Sequence, residues 1–298
     1  MKKITLFTIL FLMLFRISVK ADDSLFPYPV APDDLSSTQD RCSYVVERFW
    51  DRCNFKQAMS SKAKLNQAFN DFISLSVLAD GSVAHKATEA LLEKVKNNPD
   101  QLLTFAQMAE GIMYSDTAKV FCEEIYAHYA NAVANSKKIK SADKARFATQ
   151  ARILNASQVG MTAPNLEITR TDGTKSHLKD ISGAHIILFF NNPDCTDCML
   201  ARVRLSADYN INQFIKSGQL QVVSVYPGPA DDKEWQSQIS MMPDNWIVGS
   251  SEDADLVYDM RHTPSIYYLN RDHVIMSKSM TADQLINAFR VINTRTDK

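Results

Sequence analysis

The stretch FFNNPDCTDCML, residues 189–200, sets Cys195 and Cys198 three positions apart. Such a pair can exchange disulfides, hold half of a metal site, or close a local staple. An apolar run, Ile186 to Phe190, reads as a strand, and a turn containing Pro193 comes next before helical spacing resumes after Cys195. This order puts Cys195 at a helix N-terminus and Cys198 one turn inside. There the unpaired backbone N–H groups and the positive end of the helix dipole stabilise a thiolate, the attacking species. A second thiol one turn away can then attack the mixed disulfide and release the substrate. A zinc site asks for about four ligands, and neither a second CxxC nor an HxxxH accompanies this pair. A purely structural Cys195–Cys198 bridge would be strained.

A second candidate lies in RHTPSIYYLNRD, where Thr263-Pro264 directly precedes an apolar strand. Proline cannot donate to a sheet ladder, so its place there asks for a reason. One is a cis Thr263–Pro264 bond that turns the chain beside the cysteines and presents the Thr263 backbone to a substrate strand. The other is an ordinary trans proline on an edge strand.

The three remaining cysteines read differently. Cys42, Val45, Val46, Phe49, Trp50 and Cys53 fall on one helical stripe, after a capping-box start at Ser37 and Asp40. A continuous helix would hold Cys42 and Cys53 about 16 Å apart, past the limit of about 7 Å for bridged Cα atoms. Both are expected to be small buried hydrophobes, as is Cys122 on a later helix. Trp50 and Tyr126 are expected core residues.

The chain that positions these groups changes period once. From Ser37 to about Asn155 the apolar residues recur at helical spacing, with further helices expected at 61–78, 82–96, 99–114, 116–134 and 142–155. No fixed repeat emerges, so this half reads as a compact helical bundle. After Gly160 an alternating run at 166–169 and an Asp172-Gly173 turn suggest a hairpin. Strands are expected at 185–190, 220–226, 265–269 and 273–277. Helical patterns start after Cys195 and recur at 207–216, 253–259 and 282–292. Strands alternating with helices argue an α/β sheet sandwiched by helices, with the domain boundary at 156–157.

The chain opens MKKITLFTILFLMLFRISVKA, a basic start, a short apolar run and a small-residue cleavage pattern. The apolar run is too short for a membrane span, which needs about 20 residues. Residues 1–21 therefore read as a secretory signal cut after Ala21, leaving 22–156 and 157–298 as the two domains, with no stable membrane insertion afterwards. The expected address is an oxidising one, the periplasm. Cleavage removes Lys2, Lys3, Arg16 and Lys20 and no acid, four positive charges, so the net charge moves from −1 to −5. That acidic balance leaves no electrostatic footprint for nucleic acid. Glycine numbers 8 in 298 residues, against a usual share of about 7%, which favours helix over strand.

Residues 158–293 resemble the thioredoxin superfamily, nearest to the secreted TlpA-like and ResA-like thiol-disulfide oxidoreductases. VGMTAPNLEI is similar to their opening, ILFFNNPDCTDC to their active-site strand and turn, and HTPSIYYLNRD to their cis-proline loop. The first half, from FPYPVAPDDLSSTQDRCSYVVERFWDRCNF onward, resembles a helical domain of unknown function found ahead of thioredoxin-like domains in secreted Bacteroidetes proteins. The resemblance implies an α/β thioredoxin-like fold at the C-terminus preceded by an all-α helical bundle. It implies Cys195 as nucleophile, Cys198 as resolving cysteine and Pro264 as the cis-proline. The sequence itself carries no cofactor motif and too few ligands for a metal site, so neither cofactor nor metal is expected. Two departures stand out: Asp194 replaces the tryptophan before the first cysteine, and Phe189 replaces a buried acid on the preceding strand. His262, Asp231 and Asp232 are candidate substitutes as proton acceptor. A peroxiredoxin would carry threonine where Asn192 stands.

Asp194 and Asp197 bracket Cys195 and oppose the helix-end stabilisation of its thiolate, so a reducing couple is expected. The resulting reading is a periplasmic thiol-disulfide oxidoreductase that reduces or isomerises disulfides in cysteine-containing envelope proteins, recharged by a membrane thiol reductant. The other reading is a redox-inactive binding or scaffold protein whose helical domain recognises a partner.

Overall fold

The computed structural model describes residues 24–115, 118, 120 and 122–296. The expected signal segment, 1–21, and the expected helix start at Asp116 lie outside them. The described residues fall into two compact units that divide at Ala148–Thr149. Among them no helix is long and apolar enough to cross a membrane.

The first unit is all-helical: α1 Thr38–Arg48, α2 Phe55–Ala58, α3 Lys62–Leu78, α4 Gly81–Val95, α5 Pro99–Met113, α6 Glu123–Ala134 and α7 Ser141–Ala156, the last running across the division. Side-chain caps set several starts. Ser37 Oγ accepts from Asp40 N at 3.0 Å, and Asp80 and Asn98 cap α4 and α5 in the same way. The interior is aromatic: Phe49, Phe69, Phe72, Phe105, Tyr126 and Tyr129 are fully buried. Rings meet at 5.5 Å for Trp50 and Phe105 and at 5.7 Å for Phe69 and Tyr129, spacings that favour edge-to-face contact.

Two helix expectations are corrected here. The helix through Cys42 stops at Arg48, and turns carry the chain to Asn54, whose side chain accepts from Gln57 N and starts α2. Cys53 therefore lies outside a helix and is half-buried, and the continuous-helix spacing from Cys42 does not apply. Asn54 as a competing cap accounts for the break. The later helix begins at Glu123, with Cys122 at its N-cap rather than on an apolar face. Burial of Trp50 and Tyr126 agrees with their expected place in the core.

The second unit is built on a seven-stranded sheet: β1 Glu167–Arg170, β2 Lys175–His177, β3 His185–Phe190, β4 Leu220–Tyr226, β5 Ile247–Ser250, β6 Ser265–Asn270 and β7 Ile275–Ser277, in the order β2-β1-β5-β4-β3-β6-β7. β4 lies parallel to β3 and β5, and β6 runs antiparallel to β3. Helices α8 Thr196–Ala207, α9 Tyr209–Lys216, α10 Lys233–Gln238 and α11 Ala282–Thr296 complete it.

β3 sits centrally, and both of its faces are covered. Ile187 and Phe189 join Leu205, Phe214 and Phe289 on one face, while Ile186, Leu188 and Phe190 join Leu178 and Tyr258 on the other. Burial on both faces explains why this strand reads as a continuous apolar run rather than an alternating one.

β5 and α10 are additions to the elements expected from the sequence, and the helical pattern at 253–259 is a short 3-10 turn, Ala254–Leu256. β5 is four residues long and passes close to its neighbour. A Cβ on Gly249 would meet Thr169 O at 2.6 Å and Ile168 Cγ2 at 2.5 Å.

Candidate active site

The register of β3 against β6 assembles the site. Phe190, the last residue of β3, pairs with Ser265, the first of β6. The segment leaving β3 and the segment entering β6 must therefore meet at that end of the sheet. The first is the turn Asn191–Asp194 leading to Cys195, and the second is Thr263-Pro264, joined by a cis peptide bond.

Cys195 is the N-cap of α8, with extended backbone (φ −91°, ψ 102°), and its Sγ accepts from Cys198 N at 3.0 Å. The sulfur thus takes the place that a serine or aspartate oxygen usually fills at a helix start, which favours the thiolate. The same Sγ lies 3.4 Å from Thr263 O. Cys195 and Cys198 are joined as a disulfide, with Cα atoms 5.1 Å apart. Cys195 is half-exposed, whereas Cys198 is only 3% exposed. An open cleft of about 380 Å³ reaches Cys195 and is lined by Asn192, Asp194, Thr196, Asp197 and Thr263. Access to one sulfur and burial of the other suits an attacking thiol and a resolving thiol.

The turn is held from outside. Gln238 on α10 donates to Pro193 O at 2.8 Å, and buried Asn191 donates to Ser224 Oγ at 2.8 Å. The Thr263 loop is held by a buried ion pair: Arg261 Nε and Nη2 reach Asp259 at 2.8 and 2.6 Å. Tyr267 Oη accepts from Asp259 N at 2.9 Å, and Ser265 Oγ donates to Asp259 O at 2.8 Å.

Other expected participants fall elsewhere. Phe189, at the place of the missing acid, is buried among hydrocarbon. Asp232 caps α10, accepting from Trp235 N at 2.9 Å. Asp231 and His262 are exposed, His262 on the loop just before Thr263. Cys42, Cys53 and Cys122 are unpaired thiols. Burial raises the pKa of each, that of Cys53 to about 11, so each is held in the unreactive thiol form. Among the described residues no group of three or more histidine, cysteine or acidic side chains is placed to hold a metal.

Sequence reasoning does not single out Gln238, Asp259, Arg261 or Arg202. The acid-x-base spacing of Asp259 and Arg261 ahead of Thr263-Pro264 is a usable signal. So is Arg202, a charge on the otherwise apolar stripe of Cys198, Ala201 and Leu205.

Residues 15–157 match the family described as a domain of unknown function, DUF5106. No curated protein matches the chain in sequence. Among solved structures, a thioredoxin-like protein from Bacteroides caccae ATCC 43185 is 22% identical, with a TM-score of 0.76 over 89% of this chain and 98% of that one. The C-terminal domain of an uncharacterized protein from Bacteroides fragilis NCTC 9343 is 26% identical, with a TM-score of 0.43 over 45% of this chain and 99% of that one. The thioredoxin domain of a thiol-disulfide oxidoreductase from Bacteroides vulgatus is 21% identical, with a TM-score of 0.40 over 45% and 97%. The likeness to the Bacteroides caccae protein, sustained over nearly its whole length, establishes the fold. The chain therefore carries an N-terminal DUF5106 domain followed by a domain of thioredoxin-like fold.

Proposed function

We propose that this chain is a thiol-disulfide oxidoreductase of the periplasm that reduces or rearranges disulfides in envelope proteins. The observation that carries the reading is the position of Cys195 Sγ: it caps a helix N-terminus, opens to a cleft and lies beside Thr263 O. In the reduced protein the Cys195 thiolate attacks one sulfur of a substrate disulfide. A Cys195–substrate disulfide forms, the substrate bond breaks, and the departing thiolate takes up a proton. Cys198 then loses its proton and attacks Cys195 Sγ, so the Cys195–Cys198 disulfide forms and a second substrate thiol leaves. Two electrons have passed from the protein to the substrate. A membrane dithiol donor would return the couple to its reduced form. The Thr263 and Pro264 backbone would hold the substrate strand next to the sulfur.

The deciding experiment is capture in cells. Cys198→Ala should accumulate mixed disulfides with envelope proteins, and Cys195→Ala should not. Equal or absent capture by both variants, together with no reduction of insulin by the purified chain, would favour the redox-inactive scaffold. The replacement of the buried acid by Phe189 is the observation that keeps that second reading in play.

A further inference from the structure

Helix α8 buries one stripe, Cys198, Ala201, Arg202 and Leu205. Arg202 is 8% exposed, and among the described residues its one hydrogen-bond contact is Met242 Sδ, a weak acceptor, at 3.6 Å. A buried guanidinium normally faces a carboxylate, since desolvating an unpaired charge is costly. Here none is supplied. The buried residues that the sheet and helix elements place on this face, Phe189, Val222, Ile266 and Leu285, do not titrate. Tyr226 of β4 and Tyr268 of β6 pack against the same cluster with pKa values raised by burial, Asp283 of α11 is paired with Arg204 at 2.8 Å, and Asp194 and Asp197 are exposed.

Arg202 is four residues beyond Cys198, and positions so spaced on a helix have Cβ atoms about 5–6 Å apart. Helical side chains also lean toward the N-terminus, so the surface Arg202 covers lies over the turn that holds Cys198. The disulfide form holds no anion at Cys198. The resolving step creates one there, in a site where Phe189 has removed the usual carboxylate.

We propose that Arg202 is the counter-charge for the Cys198 thiolate, a positioning residue that lets the resolving thiol ionise in an apolar pocket without a buried acid. The proposal rests on the oxidoreductase reading for its purpose, though not for its measurement. The proton Cys198 gives up is balanced by the one taken up by the departing substrate thiolate. A cation held on this face favours the ionised thiol, while a neutral side chain of similar length would leave only burial, which opposes ionisation.

The test uses the full chain with Cys195→Ala, so that Cys198 stays reduced, and tracks its labelled Cβ by NMR against pH. Adding Arg202→Met should lower the acid dissociation constant of Cys198 about tenfold or more, while Arg202→Lys should recover most of the loss. In the Cys195→Ala chain, without any change at Arg202, the Arg202 Nε signal should shift in step with the Cys198 titration. A constant unchanged by Arg202→Met, or an Arg202 signal flat through the titration, overturns the proposal. If Arg202→Met does not fold, the Arg202 signal alone decides. Insulin reduction by the wild-type chain is scored separately, so failure of the oxidoreductase reading is told apart from failure at Arg202.

Discussion

Cys195 Sγ stands 3.4 Å from Thr263 O across 68 residues of chain. The pairing of Phe190 with Ser265 creates this contact, because each of the two segments leaves the sheet at the same end. The loop that carries Thr263 is in turn anchored by Asp259 and Arg261.

That anchor is expected to be costly to break. Asp259 and Arg261 have side chains only 6% and 16% exposed, and removing one partner of a buried pair typically costs about 3–5 kcal/mol. Asp259→Ala should lower stability by this order in urea unfolding. Asp259→Leu with Arg261→Met should cost less than Asp259→Ala alone. Equal losses in the two proteins would mean that the pair contributes nothing beyond its hydrocarbon.

Thiol reactivity should be confined to Cys195. Burial raises the pKa of Cys42, Cys53 and Cys122, so near neutral pH they remain protonated and slow. After mild reduction, mass mapping of a brief alkylation should find label on Cys195 first. Rapid labelling of Cys53 would contradict its burial.

The helical unit should weaken on mild acidification. His85 Nδ1 and His128 Nε2 face each other at 2.7 Å, with Glu124 3.8 Å from His85 and Glu89 3.7 Å from His128. Burial first and His85 second lower the pKa of His128, against the opposing pull of Glu89. A histidine whose folded pKa is depressed contributes stability that is full above the unfolded value, about 6.5, and lost as pH falls below it. The melting temperature should therefore drop below about pH 6.5, and His128→Gln should flatten that slope. A slope unchanged in His128→Gln would assign the acid sensitivity elsewhere.

The redox poise should be reducing. Asp194 and Asp197 flank Cys195 and work against its thiolate, and a less stabilised thiolate disfavours the reduced form. The potential is expected nearer about −270 mV than about −120 mV. Equilibration with glutathione that returned a value above about −180 mV would refute this. Asp197→His should move the potential upward.

Strand β5 should tolerate no side chain at its third position. Gly249→Ala brings a Cβ against Thr169 O at 2.6 Å, and overpacking of this kind costs about 1–3 kcal/mol. A melting temperature equal to wild type would show that β1 yields freely.

The local chemistry of this protein was legible in its residues. The Asp172-Gly173 turn, the apolar run of β3, the helix caps at Ser37 and Asn98, and the helix start at Cys195 each depend on neighbours a few positions away, and a one-dimensional pattern carries them. The helix end at Arg48 needed the competing cap of Asn54. β5 was hidden because four residues with a central glycine have no periodicity of their own and become a strand only between β1 and β4. The partner of Cys195 at Thr263, the burial of the Asp259–Arg261 pair that holds that loop, and the burial of Arg202 were settled by the tertiary structure, for which the acid-x-base spacing and the charge on an apolar stripe were only pointers. They arise where strand register brings together segments far apart in sequence, and no local propensity encodes which charge is left without a partner once the sheet has closed.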